Sequence, residues 1–256
     1  MNTVSSVLPV RRVRDLTVME LDAERLLVIA CDSVGSIGPK PADRYPASAR
    51  TVAHFAARVP LVEVLAAGAR PEVIVDTLSV EMHPTGAEMI AEFQAVAAEL
   101  GLGPERVTGS TEDNVTSDAT GVGVTVIASA TRDDLRPGRA LPGDRVYCVG
   151  RPTSAPQDRV EIGDPRMVSL GLLARIVELA GVGDALPVGS RGVGHELGVL
   201  AESNGLTLLE VRHELDLARS GGPASCVLVT VRPSAATRLH QLVDGAVDLT
   251  YLGDLA

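Results

Sequence analysis

The sequence predicts an α+β protein, and three observations carry that reading. The chain has 256 residues with 45% apolar side chains, enough to bury a sizeable core. Short alternating or continuous apolar runs, the mark of strands, recur in both halves. Amphipathic runs of helical period lie between them, without the regular alternation of a doubly wound sheet.

Composition narrows the function classes. A net charge of −10 argues against broad binding to nucleic acid or to anionic membranes. No basic patch interleaves with aromatics, and tryptophan is absent. No apolar run approaches the length of a membrane span. The first residues, MNTVSSVLPVRRVRD, lack the charged-then-apolar order of a signal peptide, so a cytoplasmic protein is expected. Cys31, Cys148 and Cys226 are far apart and show no metal-ligand spacing. Cys31 and Cys226 lie in apolar runs and read as reduced core residues. Of the 23 basic residues, all except Lys40 are arginine. A lysine kept against that bias points to a position that needs an ammonium group, although chance survival is the alternative.

Taken in order, residues 1–14 read as a loose arm. Residues 16–21 alternate, residues 26–31 form a continuous apolar run, and a turn at 22–25 joins them as an antiparallel hairpin reaching Asp32. A glycine-rich loop follows and ends at Lys40. A carboxylate at a strand end, open backbone N–H groups near Gly35 and Gly38, and one ammonium group suit a metal-bound polyphosphate. A plain turn has the same local pattern. Residues 47–67 favour helix, with Pro60 against it, and Gly68 with Pro71 beyond marks the stop. Glu63 lies in this helix beside the core-facing Val62. Residues 71–81 read as a strand that His83-Pro84 breaks. The next helix aligns Met89, Ile90, Phe93, Val96, Ala97 and Leu100 on one face.

Residues 108–114 then form a polar loop that clusters Glu112, Asp113 and Asn114 with hydroxyls, ahead of the strand 121–128. Oxygen-ligand metal and phosphate sites are built this way, and adjacent carboxylates repel one another unless a cation is near. The turn-rich stretch 136–144 marks a domain boundary. Beyond it the pattern gives a strand at 146–149 and a helix at 167–180. A second glycine-rich loop at 188–194 opens a helix that stops at Asn204-Gly205. Strands at 206–211 and 226–231, a helix through Leu242 and a last strand at 247–252 complete the chain. The glycines of the second loop suit either an anion at the helix N-terminus or tight packing.

Four segments together resemble the PurM-like (aminoimidazole ribonucleotide synthetase-related) superfamily. Asp32 to Lys40 resembles its D-G-V-G-T-K loop. Glu63-Val64-Leu65-Ala66-Ala67-Gly68-Ala69-Arg70-Pro71 resembles its D-L-A-A-M-G-A-x-P helix end, the most specific of the four. Thr108 to Glu112 resembles its G-G-[ED]-T loop, and Leu141-Pro142-Gly143-Asp144 has its boundary spacing. Asp15 resembles the acidic residue that opens the thiamine-monophosphate kinase branch, and Gly189 to Val193 resembles the D-I-S-D-G-L loop. The chain departs from the pattern at Glu63, which replaces Asp, and at Ser110, which replaces an acidic residue. Val188 and Arg191 also stand where acids are common. Ala30-Cys31-Asp32-Ser33, Gly109 to Asn114 and a compact second half look most like the α-ribazole kinase branch.

The resemblance implies a two-domain PurM-like fold. Residues 1–141 would form a mixed α/β domain that binds ATP and Mg²⁺ and pairs its sheet with a second subunit, giving a homodimer. Residues 142–256 would form a compact α+β domain on the acceptor side. The implied reaction is ATP-dependent phosphorylation of the 5′-hydroxyl of α-ribazole. Asp15, Asp32, Glu63 and Glu112 are the implied Mg²⁺ ligands, and Asp32 and Lys40 the implied catalytic residues. Gly35, Gly38, Lys40, Gly68, Gly109, Ser110, Thr111 and Asn114 would line the nucleotide. Neither nucleic acid nor membrane is an expected partner. The alternatives are another PurM-like ATP-dependent enzyme, of the thiamine-monophosphate kinase or aminoimidazole ribonucleotide synthetase type, and an inactive ATP-binding regulatory protein.

Overall fold

The alternation in the first half builds a six-stranded sheet. In the computed structural model, which describes residues 7–210 and 213–256, that half runs β1 (Val10–Val13), β2 (Leu16–Glu20), β3 (Arg25–Gly35), β4 (Ile37–Gly38), β5 (Tyr45–Pro46), α1 (Ala49–Ala66), β6 (Arg70–Leu78), α2 (Ala87–Glu99), β7 (Val107–Thr111) and β8 (Gly121–Thr131). The sheet order is β1-β2-β3-β8-β6-β7, and β4 pairs with β5 as a separate ribbon. Period-two alternation decides which side is buried. Leu26, Val28 and Ala30 of β3 and Val122, Val124 and Val126 of β8 are buried on one face. Both α1 and α2 contribute to the core on that side. Met19, Leu27, Ile29, Val75 and Ile127 lie on the other face and are half-buried.

Helix α1 is set by its ends. Ser48 Oγ accepts the Thr51 N–H at 3.1 Å, capping the first turn. At the other end Gly68 takes a left-handed φ of 79°, and the N–H groups of Gly68 and Ala69 close on Leu65 and Val64. A Cβ on Gly68 would lie 2.2 Å from the Asp134 carbonyl. Fully buried Ala53, Ala56 and Ala57 let the helix approach the sheet closely.

The second half runs β9 (Arg145–Val149), α3 (Leu170–Glu178), β10 (Val182–Pro187), α4 (Val193–Asn204), β11 (Leu208–Glu210), β12 (Val227–Val231), α5 (Ala236–Val243) and β13 (Leu249–Leu255). Its five strands pair antiparallel in the order β10-β12-β9-β13-β11. The larger core cluster draws on both halves, joining Leu61 and Phe93 to Leu173, Ile176 and Val229. A smaller cluster holds Leu186, Leu197, Leu200, Leu228 and Leu252.

Two arginines, Arg58 buried and Arg14 half-buried, tie the halves together. Arg58 donates to the carbonyls of Val168, Pro223 and Ala224, and burial lowers its pKa to about 10. Arg14 donates to both oxygens of the fully buried Asp184 at 2.6 and 2.9 Å and to Ser203 at 2.8 Å. Asp184 also accepts from the Gly138 N–H and from Asn204. A buried pair persists only when its remaining lone pairs are met in this way. No helix among the described residues is long and apolar enough to cross a membrane.

Several elements differ from the sequence expectation. Residues 10–13 of the expected arm form an edge strand paired with β2; residues 1–6 lie outside the described residues. The loop expected after Asp32 begins only after Gly35, because Ser33 to Gly35 pair with Gly121 to Gly123. Residues 108–111 form the parallel partner of β6 rather than a loop. Cys31 is exposed on the open face of the sheet rather than in the core, since it is out of phase with Ala30. Strand β10 carries no clear sequence signal, because Gly183, Asp184 and Pro187 interrupt its apolar pattern. The expected strand at 206–211 is confined to Leu208–Glu210, and Val211 lies outside the described residues.

Candidate functional site

Asp15 occupies the tight turn between β1 and β2, next to Arg14, whose φ of 55° is left-handed. The Arg14–Asp184 pair pins that turn against the second half and leaves the Asp15 carboxylate exposed beside it. Asp15, Glu63 and Glu196 line one narrow cleft of about 70 Å³, whose other walls include Leu16, Val188 and Gly189. Glu196 stands in the first turn of α4.

Glu63 is the unusual member. Burial pushes its pKa up to about 8, and the charges of Asp15 and Asp32 push in the same direction. Its Oε2 is buried with no hydrogen-bond partner. Burial also raises the Asp32 pKa, against an opposing hydrogen bond from the Ser33 N–H. The Glu196 pKa is raised mainly by burial and in part by Asp15, while His195 and Arg191 oppose the shift. Asp15 is the shared neighbour: its charge acts on Glu63, as does that of Asp32, and separately on Glu196. Among the described residues no three His, Cys, Asp or Glu side chains converge as a metal cage. Mg²⁺ rarely uses such a cage, since one or two carboxylates plus substrate phosphates hold it. The orphaned Glu63 oxygen, with Asp15 lining the same cleft, offers oxygen donors of the kind that ion takes, without a closed cage.

Neither Lys40 nor Glu112 lines that cleft; both sit against the segment that follows β6. The Lys40 ammonium is paired with Glu81, which also accepts from Thr85 Oγ1 at 2.6 Å. The Lys40 hydrogen bond, followed by that of Thr85, holds the Glu81 pKa down at about 2. Asp113 accepts from the Met82 N–H at 2.9 Å and from Thr111 Oγ1 at 2.9 Å. Glu112 folds back to accept the N–H groups of Asn114 at 2.7 Å and Val115 at 3.3 Å, which lowers its pKa. The structure thus does not bring Glu112 into the set formed by Asp15, Asp32 and Glu63. Ser110 is exposed on edge strand β7, and its hydroxyl turns to the Thr111 carbonyl.

The glycines divide by what surrounds them. Nothing lies within 4 Å of a Cβ placed on Gly35, so a ligand has room to approach there. A Cβ on Gly38 would meet Thr120 Oγ1 at 2.2 Å, where Asp43 ties Thr120 to Lys40. A Cβ on Gly109 would meet the Asp76 carboxyl at 2.3 Å. Gly38, Gly68 and Gly109 therefore have packing reasons of their own.

Sequence reasoning passed over two acids. Asp76 is 2% exposed, has an unpartnered Oδ1, and has a pKa raised by burial to about 6. Its signal is phase, since it falls with Ile74 and Leu78 on the buried side of β6. Glu196 lies just after the second glycine-rich loop, and its signal is a carboxylate in the first turn of the helix that loop opens.

No protein-family model matches the chain and no curated protein matches it, whereas solved structures do. Thiamine-monophosphate kinase from Stenotrophomonas maltophilia is 19% identical, with a TM-score of 0.68, 96% of this chain covered and 88% of that one. PurL from Thermotoga maritima, complexed with ATP, is 20% identical with a TM-score of 0.67. There 93% of this chain is covered, but this chain spans only 41% of PurL. Hydrogenase maturation protein HypE in complex with ATP is 16% identical with a TM-score of 0.66, covering 93% of this chain and 78% of that one. The six-stranded sheet with α1 and α2 on one face, followed by the five-stranded antiparallel sheet, is the PurM-like fold.

Proposed function

We propose that this chain is an ATP-dependent small-molecule kinase that phosphorylates the 5′-hydroxyl of α-ribazole to α-ribazole 5′-phosphate in cobamide salvage. One observation carries the reading most: Glu63, buried with an orphaned oxygen, lies in the field of Asp15 and Asp32. Unopposed carboxylates of this kind are costly unless a cation joins them when ligand binds. The PurM-like fold and its ATP-complexed neighbours support ATP as the phosphoryl donor.

In this reading Mg²⁺ would be held by carboxylates drawn from Asp15, Asp32 and Glu63 together with the nucleotide phosphates, whose charge it would neutralise. Gly35 lets the nucleotide approach the backbone. Lys40 steadies phosphate charge from its seat against Glu81, and Thr111 and Asn114 contribute further polar groups. Positioning and charge stabilisation do most of the work of phosphoryl transfer, so no strong base is required. The test measures ADP release with α-ribazole, thiamine monophosphate and ordinary nucleosides, with products identified by mass. A mass gain of one phosphate on α-ribazole is expected. Nucleotide binding without ADP release on any acceptor would sink the proposal in favour of an ATP-binding regulatory protein.

The second subunit belongs to the same proposal. The open face of the first sheet carries half-buried Met19, Leu27, Ile29, Val75 and Ile127, an apolar surface suited to a second copy of itself. Sedimentation should show a dimer at micromolar concentration, and Ile127→Asp should return it to monomer. A wild-type chain that sediments only as monomer would remove the dimer.

A further inference from the structure

Asp32 borders a second cleft whose character is unlike that of the carboxylate cleft. It encloses about 250 Å³, and its apolar walls include Val34, Ile37, Tyr45, Val52, Phe55 and Val160. Ile37 and Tyr45 are paired on the β4–β5 ribbon, so one short element supplies two neighbouring wall residues. Phe55 comes from α1, while Ala155, Val160 and Pro223 come from the second half. One of the chain's three tyrosines and one of its two phenylalanines thus line this cleft. The rest are committed: Phe93 is wholly buried, and Tyr147 packs on Tyr251 with ring centroids 5.4 Å apart. Tyr45 is 37% exposed and Ile37 36%, which leaves the mouth open and apolar.

The cleft is poor in free polar groups. Its lining hydroxyls and carboxylate are those of Tyr45, Thr51, Ser154 and Asp32. Thr51 Oγ1 already meets Ser48 Oγ at 2.8 Å, and Ser154 Oγ meets the Ala155 carbonyl at 3.1 Å. Asp32 stands where this cleft adjoins the carboxylate field, because its charge also acts on Glu63.

We propose that this cleft receives a flat, mainly apolar, bicyclic ring of the acceptor nucleoside, with its ribose directed toward Asp32 and Glu63. This rests on the kinase reading and assigns the half of the substrate that the carboxylates do not read. An adenine ring entering here would strip water from a polar edge that finds few partners, and a site without partners rejects such an edge. A benzimidazole ring with methyl groups on its benzene edge loses no such bonds and fills the apolar walls. Stacking against Tyr45 and Phe55 adds to that burial.

The test is calorimetric titration of the full chain with 5,6-dimethylbenzimidazole riboside, and separately with Mg²⁺·ATP, for the wild type, Tyr45→Ala and Val160→Trp. Tyr45→Ala removes an exposed ring, and Val160→Trp fills the cleft. Both should weaken the riboside at least tenfold and leave Mg²⁺·ATP affinity within twofold, which also reports that the variants are folded. Weakening of ATP with the riboside unaffected would overturn the assignment and make the cleft an adenine site. Adenosine binding as tightly as the riboside would overturn it too. If α-ribazole is phosphorylated while Tyr45→Ala leaves its KM unchanged, the ring assignment falls and the kinase reading stands. If the riboside binds with the expected variant pattern but no acceptor releases ADP, the ring assignment stands and the kinase reading falls.

Discussion

Asp32→Asn is expected to lower turnover by about a hundredfold or more at saturating Mg²⁺ and ATP, the loss typical of removing one charge that stabilises a transition state. Folding should survive the change. Asp32 is a half-buried carboxylate whose pKa is raised mainly by burial, so its charge is a cost to the folded chain rather than a support. Asparagine keeps the shape and still accepts the Ser33 N–H. The melting temperature of the metal-free variant should therefore equal or exceed that of the wild type. Kinetics divide the two roles this residue would have. Loss of kcat with KM for the acceptor nearly constant assigns Asp32 to the metal and phosphates. A raised acceptor KM with kcat intact would instead assign it to the ring cleft. Turnover within threefold of wild type would remove Asp32 from both.

The parts of the fold visible in the sequence are those decided by local period. The β2–β3 hairpin, α1, α2 and α4 follow from alternation, amphipathic spacing and glycine stops, each of which acts within a few residues. What escaped depends on pairing between distant segments. Ser33 to Gly35 and residues 108–111 have the composition of loops, yet they are strands because β8 and β6 supply their hydrogen bonds. An apolar run looks buried throughout, yet Cys31 is exposed because one face of this sheet is open. The same limit applies to the site. Asp15, Asp32 and Glu63 could be chosen from motifs, but the separation of Glu112 from them depends on β7 ending against the segment after β6, where Glu81 holds Lys40. Glu196 comes from the other half of the chain, and nothing local to residue 196 records that Asp15 faces it. Asp76 was legible in principle, since a carboxylate in the buried phase of a strand demands an explanation.

Without nucleotide or divalent cation, the folded chain should lose stability as pH rises from about 5 to about 8, and Glu63→Gln should abolish most of the upper part of that loss. Glu63 has a pKa of about 8 in the folded chain against an ordinary 4.5, because burial and then Asp15 and Asp32 oppose its ionisation. Below pH 4.5 it is protonated in both the folded and unfolded chain, and its raised pKa contributes in full. Between the two values the unfolded chain has released a proton that the folded chain still holds. Each pH unit in that interval then removes about 1.4 kcal/mol, to a ceiling of about 5 kcal/mol for a shift of this size. Asp76 acts in the same direction, but only up to its own value of about 6. The window from pH 6.5 to 8 lies above the Asp76 value, and there the difference between wild type and Glu63→Gln reads Glu63. Denaturant melts across that window should fall for the wild type and stay level for Glu63→Gln, so that the variant is the more stable protein at pH 8. A cation bound by the carboxylates favours the ionised form, so Mg²⁺·ATP should restore wild-type stability at pH 8 by more than it raises the variant's. Parallel pH–stability curves for the two proteins would mean that Glu63 ionises normally, and the strongest physical argument for a cation at this cleft would be lost.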